Sequence, residues 1–131
     1  MVLREGSIRT ASTTSRVIAK DIAEFASDKK ALDIVVLDMR KVANFCDYFV
    51  LCSGNTDRQV KAVADGIEEG LYTRGIKVKR PEGMMDKNWV VLDLGDVVAH
   101  VFQKDAREFY RLEYLWQEAK TVEWEKDKKR S

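Results

Sequence analysis

The 131 residues suffice for one domain, and 45% hydrophobic with 34% charged residues is the balance of a soluble globular chain. A net charge of only +1 gives no bulk argument for a nucleic-acid or acidic-membrane partner, and no apolar run approaches the roughly 20 residues of a membrane helix. Cys46 and Cys52 are the only cysteines and form no CxxC, which excludes a disulfide framework and fits free thiols in a reducing cytoplasm.

Residues 1–13 lack the apolar core of a signal peptide and read as a flexible leader. From Thr14 a helical pattern begins. Val17, Ile18, Ile22, Phe25 and Ala26 recur at helical spacing, which predicts a helix over about Ser15 to Ala26. Leu32 to Asp38 is a β-branched run and reads as a strand. After a connection from Met39 to Phe45, Asp47 to Ser53 reads as a second strand, apolar enough to be central in a sheet.

Thr56-Asp57-Arg58-Gln59 has the form of a capping box, and Gly75 stands where a glycine helix stop belongs, so a helix is expected from about Asp57 to Arg74. Its start, with Asn55 and Thr56, is either an ordinary cap or an anion site, and the ordinary cap is the plainer reading. Ile76-Lys77-Val78-Lys79 alternates and is expected to be an edge strand guarded by its lysines. With the preceding strand and helix it would complete a right-handed parallel crossover. Arg80 to Gly83 is read as a turn and Met84 to Asn88 as a loop.

Trp89 to Phe102, WVVLDLGDVVAHVF, reads as a β-hairpin closed at Gly95-Asp96. That loop fixes the register: Val90 faces Val101, Leu92 faces Ala99, Leu94 faces Val97, Trp89 faces Phe102, Val91 faces His100 and Asp93 faces Val98. Alternation then gives one wholly apolar face (Val90, Leu92, Leu94, Val97, Ala99, Val101) and one mixed face (Trp89, Val91, Asp93, Val98, His100, Phe102). The mixed face suits either a partner or a covering helix under which His100 is merely hydrogen-bonded; the residues alone tilt slightly to the second. Asp105 with Glu108 can cap a last helix whose stripe is Phe109, Leu112, Leu115, Trp116 and Ala119. Thr121 to Ser131 reads as a charged tail, helical and fraying or disordered.

The predicted order is α-β-β-α-β-β-β-α: one α/β domain over residues 14–120, with a mixed five-stranded sheet and three helices, between the 1–13 leader and the 121–131 tail. Chemistry is thinly represented. His100 is the only histidine, and no second ligand sits at a metal-binding spacing around it. No GxSxG, GxGxxG or GxxxxGK[ST] is present, so neither a nucleophile elbow nor a common nucleotide cradle is indicated, and no cofactor is expected. Arg74, Lys77, Lys79, Arg80 and Lys87 are close in sequence but interrupted by acids. They read as a solvated edge first and an RNA-phosphate contact second.

Four segments, DYFVLCSG (Asp47–Gly54), TDRQV (Thr56–Val60), WVVLDLGDVVAHVF and REFYRLEYLW (Arg107–Trp116), resemble in order and spacing the Iojap family, the ribosomal silencing factors. The resemblance covers about Arg16 to Trp116; Ala99 departs from it, where a larger aliphatic residue is usual. It implies a nucleotidyltransferase-like fold without transferase activity. It further implies a homodimer that binds a large-subunit ribosomal protein at the intersubunit face, sterically blocks subunit joining and represses translation. A minor contact to ribosomal RNA goes with that reading. The family's contact surface falls on Trp89, with Leu94 and Phe102 beside it. The mixed hairpin face adds Val91, Asp93 and His100, which turns that face toward the partner reading. Leu94 is at odds with the alternation, which puts it on the apolar face. The alternative is a degenerate or active nucleotidyltransferase-like enzyme. Against it, the order here is Ser53-Gly54, where such enzymes show Gly-Ser, and no Asp-x-Asp follows.

Overall fold

The computed structural model describes residues 7–78, 88–105 and 118–125. The turn and loop expected over 80–87, with Lys79, Arg80 and Lys87 of the basic stretch, and the Phe109–Trp116 part of the last helical stripe lie outside the described residues.

Helix α1 spans Ser7–Asp28, so it begins eight residues before the expected start and inside the stretch read as a leader. Its inner face is built from Ala19, Ile22, Ala23 and Ala26, all fully buried, whereas Val17 is 51% exposed. Ile18 and Phe25 pack against the core as expected, so Val17 alone of the expected stripe turns away, and Ala19 and Ala23 join it. Strands β1 (Leu32–Asp38) and β2 (Tyr48–Gly54) follow as predicted, and every residue of β2 is buried. Helix α2 spans Asp57–Tyr72. Thr56 Oγ1 accepts the Gln59 N–H at 3.1 Å, as a capping box requires. The return bond goes one residue further back than expected: the Gln59 side-chain oxygen accepts the Asn55 N–H at 2.7 Å. The same side chain donates to the Lys30 carbonyl at 2.9 Å, which ties the start of α2 to the end of α1. With those donors met, this helix start is an ordinary cap.

At the other end, Gly75 has φ 76° and its N–H bonds to Tyr72 O, while the Ile76 N–H reaches Leu71 O at 3.0 Å. This is a Schellman stop, and glycine takes the left-handed position that a side chain resists. Helix α1 ends with the same pair of bonds, Lys30 N to Ser27 O and Ala31 N to Ala26 O, but there Lys30 holds the left-handed position at φ 67°. Arg74 bonds Asp21 and lies over the Phe25 ring at 5.4 Å, so it fastens α2 to α1 rather than standing in a free basic edge.

Residues 76–78 are not a strand; Ile76 and Val78 pack against the core as irregular chain after the helix stop. The described part of the predicted crossover strand, 76–78, is therefore not in the sheet. Strands β3 (Trp89–Asp93) and β4 (Val97–Gln103) form the hairpin, and the fifth strand is β5, Lys120–Val122. Thr121 and Val122, read as tail, thus belong to the sheet. The strand order is β3-β4-β2-β1-β5. The one parallel pair is β2 with β4, joined through α2 and β3; the other three pairs are antiparallel. The described order is α-β-β-α-β-β-β in a mixed five-stranded sheet.

Hairpin register matches the expectation at every pair: Trp89 with Phe102, Val90 with Val101, Val91 with His100, Leu92 with Ala99 and Asp93 with Val98. Gly95, at φ 91°, occupies the position that a primed turn reserves for glycine. The apolar face packs with α1 and α2 into one core that includes Val36, Tyr48, Val50 and Cys52. The opposite face carries a second, smaller core of Leu37, Met39, Cys46, Phe49, Leu51 and Phe102.

Candidate partner-binding site

Parallel pairing of β2 with β4 sets Phe49 beside Val98, Leu51 beside His100 and Ser53 beside Phe102. The mixed face of the hairpin therefore continues onto β2 and meets its aromatic residue, Phe49. An aromatic cluster results. The Phe49 ring meets His100 edge-on at 4.7 Å between centroids. Phe102 stacks on Trp89 at 5.3 Å and 22°, and lies nearly parallel to His100 at 6.0 Å and 10°. Such offset and edge contacts lie in the range where aromatic pairs attract beyond their area alone. Phe45, 60% exposed, lies 6.1 Å from Phe49 at the rim.

A polar bond joins two members of this cluster. The Trp89 indole N–H donates to His100 Nδ1 at 3.1 Å. His100 is buried, and desolvation pushes its pKa down to about 4, with the negative charge of Asp93 acting weakly the other way. The imidazole is therefore neutral near pH 7. With Nδ1 accepting, the ring proton sits on Nε2. That Nε2 is buried and has no hydrogen-bond partner among the described residues.

Among the described residues, the cover over this face comes from Met39, Val42, Ala43 and Cys46 of the β1–β2 connection and from Ala119. The six expected contact residues divide accordingly. Phe102 is fully buried, and Val91 and His100 keep only 6% and 7% of their surface. Trp89 and Asp93 are half-buried on the mixed face, as is their neighbour Val98. Leu94 is half-buried too, beside the turn, and packs against the helix-side core on the face that the alternation gave it. Asp93 is also a turn residue: its Oδ1 accepts the Gly95 N–H at 2.7 Å.

Phe49 and Phe45 were not among the expected site residues. The alternation of Phe49 and Leu51 against Tyr48, Val50 and Cys52 shows that β2 has two apolar faces. Only the β2–β4 register shows that Phe49 meets His100. Cys46 belongs to that cover. Burial, with the charges of Asp47, Asp93 and Asp96 adding to it, pushes its thiol up to about 12. Cys46 and Cys52 are both buried and neither is in a disulfide, and the raised thiol of Cys46 is the opposite of an activated nucleophile.

The model of the family described as "Ribosomal silencing factor during starvation" matches residues 12–131. A Bacillus subtilis ribosomal silencing factor is 48% identical over 102 residues, covering 78% of this chain and 86% of that one. The chloroplastic Iojap protein of maize is 30% identical over 105 residues, covering 80% of this chain and 46% of its own length. A crystal structure of a Chromobacterium violaceum protein superposes with a TM-score of 0.74 at 34% identity, covering 79% of this chain and 86% of that one. The match across the whole domain, the aromatic hairpin included, shows that the chain belongs to the ribosomal silencing factor family, to which the Iojap proteins are also related.

Proposed function

We propose that this protein binds a protein at the intersubunit face of the large ribosomal subunit, sterically blocks joining of the small subunit and so represses translation. The observation that carries this reading is Trp89. It opens an edge strand, is half-buried, and is held by a ring stack and a hydrogen bond before any partner arrives. A large aromatic group, partly exposed and already ordered, is the kind of residue that dominates interface energy, because little side-chain entropy is left to lose. Asp93 and Val98 lie on the same face, and Phe45 extends its apolar rim. Buried Val91, His100 and Phe102 support Trp89 from behind.

Family membership supports the ribosome as the target. The choice of subunit, the protein partner and the steric block belong to this proposal. So do a homodimeric free state, a cytoplasmic location, a minor RNA contact, and a nucleotidyltransferase-like fold that has no transferase activity. The test is co-sedimentation of the purified protein with large and small subunits separately, followed by gradient analysis of their reassociation. Binding to large subunits alone, with loss of 70S-type particles as the protein is added, is the expected result. Binding to small subunits only, or full reassociation at saturating protein, would refute it.

A further inference from the structure

We propose that His100 is the positioning residue for Trp89: its Nδ1 holds the indole N–H and so fixes the ring in the plane that the ribosomal partner meets. This rests on the reading of Trp89 as the anchor and adds the device that presents it. Among the described residues the indole meets Phe102 and His100. Phe102 stacks against its face, a contact with little in-plane directionality, and the His100 ring lies 5.9 Å away. The 3.1 Å bond from Nε1–H to His100 Nδ1 is directional and fixes the in-plane orientation of the ring. His100 in turn is fixed by the edge of Phe49 and the parallel ring of Phe102.

The chemistry of the site argues that histidine is there for this acceptor. A buried position between Leu51 and Val91, flanked by two phenylalanines, would suit Leu or Phe. Histidine instead leaves its Nε2 hydrogen buried and without a partner among the described residues, which is costly. Relative to an aliphatic residue, what it gains among the described residues is the bond to Trp89. Burial keeps the ring neutral, so that Nδ1 has a lone pair to offer near pH 7.

The test uses the full chain, purified large subunits and four substitutions. Trp89→Ala tests the anchor itself. Trp89→Phe keeps an aromatic ring and removes the donor. His100→Leu removes the acceptor, and His100→Asn keeps an acceptor oxygen where Nδ1 stood. Affinity should fall about tenfold for Trp89→Phe and for His100→Leu, the scale of one lost hydrogen bond, and His100→Asn should recover most of it. The double variant Trp89→Phe/His100→Leu should be no weaker than either single one, since both remove the same bond. In a proton–nitrogen correlation spectrum the Trp89 indole signal, identified by its absence in Trp89→Phe, should move toward that of a free indole in His100→Leu and stay near wild type in His100→Asn. Wild-type affinity in Trp89→Phe, or additive losses in the double variant, would overturn the positioning role. If His100→Leu does not fold, Trp89→Phe and His100→Asn still decide: a tenfold loss in the first with recovery in the second supports the role, and any other pattern overturns it. Unchanged binding by Trp89→Ala would instead remove the anchor reading, a different failure.

Discussion

Acidification offers a measurement of how deeply His100 is buried that requires no ribosome. The folded imidazole titrates at about 4 instead of the ordinary 6.5. Between those values the unfolded chain holds a proton that the folded chain lacks. Stability therefore rises with pH across that window and is lost as pH falls from 6.5 toward 4. At 1.36 kcal/mol per pH unit the full window amounts to about 3 kcal/mol, or about 10 °C in melting temperature for a chain of this size. Two carboxylates titrate nearby and must be separated. Asp47 is raised by burial and by Asp96, so near its own pKa it acts with the opposite sign. Asp38 is pulled below its ordinary value by the hydrogen bonds and charge of Arg40, so its contribution is lost only below about pH 3.8. His100→Asn isolates the histidine, because both carboxylates remain. Urea denaturation at pH 7, 6, 5 and 4 should show wild type losing about 3 kcal/mol more than His100→Asn. As His100 is the only histidine, its ring proton signal is unambiguous and should not titrate between pH 5.5 and 7.5 in the folded protein. A midpoint near 6.5, or equal pH slopes for the two proteins, would refute the burial argument.

Trp89→Ala should weaken large-subunit binding by about 2–4 kcal/mol, roughly 30- to 1000-fold, measured by co-sedimentation, while most of the protein stays folded. Phe102→Ala, at a fully buried site, should cost about 3–5 kcal/mol of stability in urea denaturation and, by removing the stack that holds Trp89, lower the affinity of the folded fraction by about tenfold, well short of the loss in Trp89→Ala. Lys30→Gly should stabilise the protein by about 1 kcal/mol in the same assay, because Lys30 holds a left-handed position at φ 67° that glycine adopts without steric cost. Cys46 and Cys52 should both react with iodoacetamide in denaturant without prior reduction. In the native state they should react slowly, since both are buried and the Cys46 thiol is pushed up to about 12.

The hairpin was legible because its determinants are local. Gly95-Asp96 fixes the loop, the loop fixes the register, and alternation assigns every side chain to a face. The buried character of β2 was equally plain from its composition. What stayed hidden depends on pairing between distant segments. Thr121 and Val122 look like the start of a charged tail, and only the pairing of Lys120–Val122 with Asp38, Leu37 and Val36 makes a strand there. Ile76-Lys77-Val78 has the alternation of an edge strand, yet it begins directly after a Schellman stop, and its apolar side chains are satisfied against the core without a ladder. The site was half legible for the same reason. Trp89, His100 and Phe102 follow from the hairpin register, whereas Phe49 enters only through the β2–β4 pairing. The first eight residues of α1 are not legible in the sequence because Ser7 to Thr14 carries no apolar period to announce a helix.

Strand order decides what each residue of the mixed face can contribute. Strand β3 is an edge of the sheet, β4 lies one strand in and β2 two strands in. Along one row that crosses the three strands, exposure closes inward: Trp89 is half-buried, Phe102 fully buried and Ser53 buried. The row beside it is closed throughout, with Val91, His100 and Leu51 all buried. A partner that approaches the folded chain from this side therefore meets Trp89 but not Phe102. Aromatic identity at position 102 acts through the stack it offers Trp89, and imidazole identity at position 100 through the bond it accepts. On this geometry the three residues form one anchor with two supports. Truncating the anchor should mainly lower affinity, whereas truncating the phenylalanine should mainly lower stability, although all three sit on the same face of one hairpin.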